Sequence, residues 1–256
     1  MKRKTVIIAI ALVVVLFTPI PTGRYGKTRE YTALTYKIVK WNESDGRFHY
    51  EKTSFYFFPK NFKSVYELWE ENSIPVYDKP VIYLYPEEKM EVSVRLCLDG
   101  TMTCAYPEYN NGWTVTAMPD GTLIDAEGKM YNYLYWEGES DTQYDMSQGF
   151  CIKGEDTAEF LEGALAALGL NRREANEFIV YWLPLMEQNN YNVISFQDDK
   201  YTDAAKLDVS PIPDTIIRVF MTWYESESYV ELDAQDLTAP SREGFTVVEW
   251  GGSEIK

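Results

Sequence analysis

Runs of apolar residues in this chain differ in spacing from one segment to the next, and the spacing predicts the elements. After a basic start, MKRK, almost every residue from Val6 to Phe17 is apolar. "YTALTYKIVKW" then alternates in part, with Tyr31, Ala33 and Tyr36, Ile38 spaced as residues of one strand face, and "TSFYFFP" is a second, more apolar run. The turn-rich "NESDGR" between them predicts a hairpin. "NFKSVYELWEEN" reads as a short helix capped by Ser64 with Glu67 three residues on, or by Asn61. A hairpin with one helix is too small to stand alone, and is expected to pack on the more C-terminal part of the chain or on a membrane-proximal face.

From 79 to 136 the pattern is all-β. "VIYLYP", "MEVSVRLCL", "TMTCAYP", "GWTVTAMP", "TLIDA" and "MYNYLYWEG" are short runs separated by DG, NNG, PDG and EG turns. Val92, Val94 and Leu96 alternate with Glu91, Ser93 and Arg95, as in a half-buried strand. This predicts a small antiparallel sandwich. Pro80 and Pro86 bracket "VIYLY", which suits an edge or first strand, because proline donates no ladder hydrogen bond.

Residues 154–168 carry the clearest helical stripe, with Phe160, Leu161, Ala164, Leu165 and Leu168 apolar, Asp156 and Glu159 as a capping box, and Gly169 as the stop. "NRREANEF" starts another helix, with Asn171 as cap and Glu174 at the third helical position. "FIVYWLP" turns β-like before Pro184, a helix through Leu183 being the alternative. "YNVISF", "TIIRVFMTWY" and "GFTVVEW" read as strands, and Asp203–Leu207 as a helical turn. The predicted class is α+β, with an N-terminal anchor (1–21), a small β-rich module built on the hairpin (22–75), an antiparallel β-sandwich (76–138) and a mixed α+β domain (139–256).

The anchor prediction turns on length and processing. Thr5–Ile20 as a helix covers about 24 Å against a hydrocarbon core of ~30 Å, and Lys2, Arg3, Lys4 and Arg24 can snorkel to the interfaces. The A-x-A at Ala9–Ala11 lies inside the apolar run, a poor site for signal cleavage. An uncleaved single-pass anchor is therefore expected, with the basic end cytoplasmic and residues 22–256 outside. Secretion after cleavage is the alternative.

Composition narrows the function. Of 256 residues, 45% are hydrophobic and 15% aromatic, with 20 tyrosines, enough for a real core. A net charge of −16 repels phosphate backbones, so nucleic acid is not an expected partner. His49 is the single histidine, which excludes a multi-histidine zinc site; it reads as a surface residue. Cys97, Cys104 and Cys151 form no CxxC. Cys97 and Cys104 flank "LDGTMT", read as a hairpin turn, where a disulfide or two buried thiols both fit.

"TREYTALTYKIVKWN" with "NFKSVYELWE" resembles a module that comes after the anchor in uncharacterised exported proteins of Gram-positive, clostridia-like bacteria. "KPVIYLYPE", "YNYLYWEG" and "NEFIVYWLPLMEQNNYNVISF" resemble a second uncharacterised family. The resemblance implies an envelope location in a bacterium and brings no reaction, cofactor or catalytic residue. "GRYGKTR" at 23–29 lacks the aspartates of the first module, which puts a metal role there in doubt.

Candidate chemistry is sparse. Glu137, Glu139, Asp141 and Asp145 bunch after an aromatic strand; such a loop can hold Ca²⁺ or be a solvated acidic loop, and it lacks EF-hand spacing. Glu137, Glu177, Glu187 and Glu249 each lie beside aromatics and are candidate carboxylates for glycoside hydrolysis, which needs two that converge. Trp136, Tyr181 and Trp182, with Trp113, Tyr133 and Tyr135, are candidates for a sugar- or peptide-stacking face, or for core. No cofactor is expected. The leading expectation is a non-catalytic envelope protein that binds a wall polymer or another envelope protein, or serves as structure. The rival is a carboxylate-dependent hydrolase acting on wall glycan or peptide.

Overall fold

The computed structural model describes residues 16–44, 49–65, 67–68 and 76–255, the side chains at 43–44, 49–51 and 76–78 excepted. The expected anchor lies outside these residues as far as position 15, and the His49 side chain lies outside them too. Among the described residues no helix is long and apolar enough to cross a membrane. The chain divides into two compact units, 1–73 and 74–256.

The first unit is a four-stranded antiparallel meander of β1 (Ile20–Tyr25), β2 (Thr28–Thr32), β3 (Tyr36–Ser44) and β4 (His49–Phe57) in chain order. The predicted hairpin is β3–β4. Its first run is broken, since a turn at 33–35, where Ala33 N–H donates to Tyr36 O at 2.8 Å, separates β2 from β3. One face buries Val39, Trp41 and Tyr56 with Val65 and Leu68 of the helical turn after Ser64. Ser64 and Glu67 form the expected reciprocal cap, with Glu67 N–H donating to Ser64 Oγ at 3.1 Å and Ser64 N–H to Glu67 Oε2 at 2.7 Å. Asn61 does not cap; its amide donates to the Ala33 and Leu34 carbonyls at 3.3 and 3.0 Å and closes the 33–35 turn. The buried face also holds an ion pair, Lys37–Glu30 at 2.8 Å, with the Thr22 and Thr32 hydroxyls donating to the same carboxylate oxygen.

The second unit has two sheets. One has five strands, in the order β10 (Met130–Tyr131), β9 (Leu123–Ile124), β8 (Trp113–Ala117), β6 (Met90–Leu98) and β14 (Ala205–Ser210). The other has seven: β12 (Phe150–Lys153), β13 (Tyr191–Gln197), β15 (Thr215–Ser226), β16 (Thr246–Glu254), β5 (Val76–Tyr85), β11 (Leu134–Glu139) and β7 (Thr101–Tyr106). Helices α1 (Thr157–Ala167) and α2 (Arg172–Met186) pack on the seven-stranded sheet, and a short α3 (Asp199–Ala204) leads into β14. Alternation explains the layers. Ile82 and Leu84 of β5 join Val92, Val94, Trp136, Phe220 and Val247 between the sheets. Val81 and Tyr83 join Leu161, Leu165, Phe178 and Trp182 under the helices. The central strand β16 is buried on both faces over its first eight residues and pairs in parallel with β15.

The strands on either side of the boundary expected at 138 share both sheets: β16 pairs with β5, and β14 with β6. "VIYLY" is not an edge strand, since it lies between β16 and β11. "LDGTMT" is not a hairpin turn either. β6 and β7 belong to different sheets, and the chain crosses at Gly100, where a Cβ would sit 2.0 Å from Glu139 O. Cys97 and Cys104 consequently lie on separate sheets, free and exposed rather than bonded or buried. "FIVYWLP" is helical, with Pro184 inside α2. The carbonyl this proline leaves unmatched belongs to Val180, which faces solvent at 66% exposure. Asn171 and Glu174 form the capping box of α2. The box expected at Asp156 is absent, because a 3₁₀ turn, Gly154–Asp156, runs straight into α1.

Candidate functional site: a tyrosine ledge around Lys79

Pro80 sits in the middle of the seven-stranded sheet and cannot donate to either neighbour. The sheet answers with irregularities on both sides: register shifts between Tyr135 and Gly138 on β11, and between Trp250 and Gly252 on β16. Such bulges are where a sheet tolerates proline. Gly251 is needed there, since a Cβ would meet Pro80 Cα at 3.1 Å. Beside the proline, Lys79 takes φ +51°, a left-handed conformation rare for a residue with a side chain. This conformation costs about 1–3 kcal/mol, and such strain concentrates at functional positions.

The bulge presents Lys79 on the helix side of β5. Its ammonium lies 4.7 Å from the centre of the Tyr181 ring and 5.8 Å from that of Trp250. Burial lowers the pKa of Lys79, against the pull of the Glu177 and Glu137 carboxylates. Strand pairing sets Tyr135 opposite Tyr106 and Glu137 opposite Cys104, so these four share the same face. Tyr83 forms the floor; its hydroxyl donates to Glu177 Oε2 at 2.8 Å, and its ring meets Tyr133 edge-on at 5.4 Å. Arg173, one turn earlier on α2, pairs loosely with Glu177 at 3.6 Å. Tyr106, 64% exposed, stands edge-on to Tyr131 at 5.5 Å.

Burial raises the phenol pKa of Tyr135, with Glu137 adding a hydrogen bond and a charge. Tyr83 and Tyr133 are raised by burial and then by Glu177. All three therefore stay neutral hydroxyl donors. The result is a half-buried ledge of tyrosine faces set with one ammonium and two carboxylates. It can stack a ring and exchange hydrogen bonds with hydroxyl or amide groups.

The sequence candidates separate cleanly. Tyr181, Tyr133, Tyr135, Glu137 and Glu177 come together on the ledge. Trp136 and Trp182 are fully buried and offer no binding surface; Trp182 packs on Gly252, and Trp136 lies between the sheets. Trp113 is core as well, with its indole N–H on Pro107 O at 2.8 Å. Glu249 lies on the opposite face of the sheet, held by Arg218 at 2.6 Å, Tyr201 at 2.8 Å and the Trp136 indole at 3.1 Å. Glu187 comes just after the last turn of α2 and is exposed. Glu139, Asp141 and Asp145 do not join Glu137 as ligands, and Asp145 accepts the Ser147 N–H in a local turn. Among the described residues, no three His, Cys, Asp or Glu side chains are grouped to hold a metal ion. Sequence reading missed Lys79, Tyr83 and Arg173. A lysine immediately before a proline within an apolar strand was the available signal for Lys79.

A concavity of about 730 Å³ runs between α1 and the edge strand β12 and is lined by Cys151, Phe160, Tyr191, Tyr229 and Leu237 among others. None of the candidate residues reaches it.

No family model matches the chain, and no solved structure matches it. The chain is similar to a protein of the clostridia-like bacterium Butyrivibrio fibrisolvens, described as "Uncharacterized protein in bglA 3'region", at 50% identity over 64 residues. That stretch is 24% of this chain and 66% of the relative, so the chain spans just under two thirds of the relative's length.

Proposed function

We propose that the protein is a membrane-anchored, extracytoplasmic binding protein of the bacterial envelope, and that the ledge around Lys79 takes a wall glycan. The observation that carries this reading is the grouping of Tyr181, Tyr133 and Tyr135 with Lys79, Glu137 and Glu177. Aromatic faces stack on the apolar faces of sugar rings, and the charged groups pair with hydroxyls. Catalysis is the weaker reading, because the fully buried carboxylates Glu249 and Glu174 are each tied to an arginine, Arg218 and Arg242. Both are fully buried, out of reach of a substrate's leaving group.

The membrane location draws support from the apolar run and from where it ends. The Leu16 and Phe17 carbonyls accept hydrogen bonds from Thr35 and Tyr36 at 2.9 and 3.1 Å. Around that end of the first unit, Leu34, Phe57, Phe58 and Phe62 are 50–71% exposed. Exposed apolar side chains gathered where an apolar segment emerges suit contact with a membrane.

The test is sedimentation of the full chain, in neutral detergent, with isolated bacterial wall. The expected result is protein in the pellet with no sugar or peptide released, and loss of binding in Tyr135→Ala and Tyr181→Ala. Released fragments would replace binding with hydrolysis, and Glu137 and Glu177 would be the pair to examine.

A further inference from the structure

The outer face of the first unit carries a row of like charges. Strand pairing sets Arg24 on β1 directly opposite Arg29 on β2, and Arg29 directly opposite Lys40 on β3. Lys27 lies in the β1–β2 turn beside them. Among the described residues none of the four makes an ion pair; Arg24 Nε donates to the backbone at Gly26 O, 3.2 Å away. Like charges directly opposite across strands are destabilising, and here three stand in register. Residues 74–256 contain 33 Asp and Glu against 12 Lys and Arg. Residues 18–73 contain nine Lys and Arg against seven Asp and Glu, so the row stands in the less acidic of the two units.

The four cations border a groove of about 380 Å³ whose other walls include Tyr31 and Asn42. Lys40 lies 5.6 Å from the centre of the Tyr31 ring. We propose that this groove binds a phosphate-bearing anionic polymer. The row extends over two strand spacings, roughly 10 Å, longer than one anion. A tetrahedral phosphate offers oxygens in several directions and can be shared by cations on adjacent strands, while a planar carboxylate satisfies one guanidinium fork. A concave groove admits a chain and not the flat surface of a bilayer. The site is separate from the Lys79 ledge and does not depend on what the ledge binds.

The experiment titrates inorganic tripolyphosphate into the full chain in neutral detergent micelles, following heat of binding and Tm. Binding is expected to weaken with rising salt. Arg29→Gln and Lys40→Gln should each weaken it about tenfold, and Lys52→Gln, off the row, should leave it unchanged. Without the probe, Arg29→Gln should hold or raise Tm, because a repulsion is removed; a residue kept for structure would lower it. Four results overturn the proposal: no binding of tripolyphosphate, equal binding by the row variants, orthophosphate binding as tightly as tripolyphosphate, or phosphatidylglycerol vesicles captured through Arg29 and Lys40 with no competition from tripolyphosphate. The last would make the site one for lipid headgroups.

Discussion

Arg218 and Glu249 meet at 2.6 Å in the layer between the two sheets, with side chains 9% and 0% exposed. The pair is fully serviced. One carboxylate oxygen accepts the Trp136 indole; the other accepts Tyr201 and Arg218, and Arg218 also donates to Ala205 O at 2.6 Å. Four segments distant in sequence are joined by one buried carboxylate. Glu249→Gln strands a buried guanidinium and is expected to cost about 3–5 kcal/mol. Replacing both partners with apolar residues, Glu249→Leu with Arg218→Met, removes the stranded charge but leaves the Trp136 indole and the Tyr201 hydroxyl unpaired, so it should recover only part of that loss. Urea unfolding of the two variants checks the order.

Alkaline pH should act on the second unit in two opposed ways. The folded pKa of Lys79 is lowered, so the unfolded chain holds more protons between that value and about 10.4. Stability therefore rises with pH through this window. Tyr83, Tyr85, Tyr133, Tyr135 and Tyr201 are raised above 10, so above that pH the folded chain holds more protons and stability falls. Tm measured from pH 8 to 11 should show Lys79→Met flattening the rise and leaving the fall in place.

The three cysteines report on the sheet crossing. With Cys97 and Cys104 exposed on different sheets, and Cys151 half-buried with its sulfur accepting the Val230 N–H at 3.2 Å, a thiol reagent should titrate two groups quickly and one slowly. Mobility should not change with reductant. A Cys97–Cys104 disulfide under native conditions would require β6 and β7 to be adjacent strands.

Lys79→Gly separates the backbone of the ledge from its chemistry. Glycine takes φ +51° without penalty, so stability should hold or rise by up to about 1 kcal/mol, while glycan binding falls. A loss of stability in thermal melts would mean that the lysine side chain is a packing element.

Local signals in the sequence reported well on local structure. The Ser64–Glu67 and Asn171–Glu174 boxes, the β3–β4 hairpin and the alternation of Val92, Val94 and Leu96 each depend on neighbours a few residues apart. Features set by distant pairing were not legible. Pro80 looked like the mark of an edge strand because nothing nearby shows that bulges at residues 136–137 and 251 accommodate it in a central one. The DG at 99–100 looks like a hairpin turn because the reason for crossing between sheets, close approach of Gly100 to the Glu139 backbone, lies far along the chain. The ledge was half visible for the same reason. Its tyrosines stood out in composition, but Lys79 and Tyr83 gain meaning only once β5 lies between β16 and β11. Trp136 and Trp182 have the residue type of a stacking face, but both are fully buried.

Glycan binding at the ledge is tested by titrating soluble glycan strands, prepared from bacterial wall, into the full chain and its Tyr135→Ala and Tyr181→Ala variants. Saturable binding by the wild type, weakened about 2- to 10-fold in each variant as loss of one stacking face implies, is the predicted result. Equal affinity in all three proteins, or no binding by the wild type, would contradict the ledge as a glycan site.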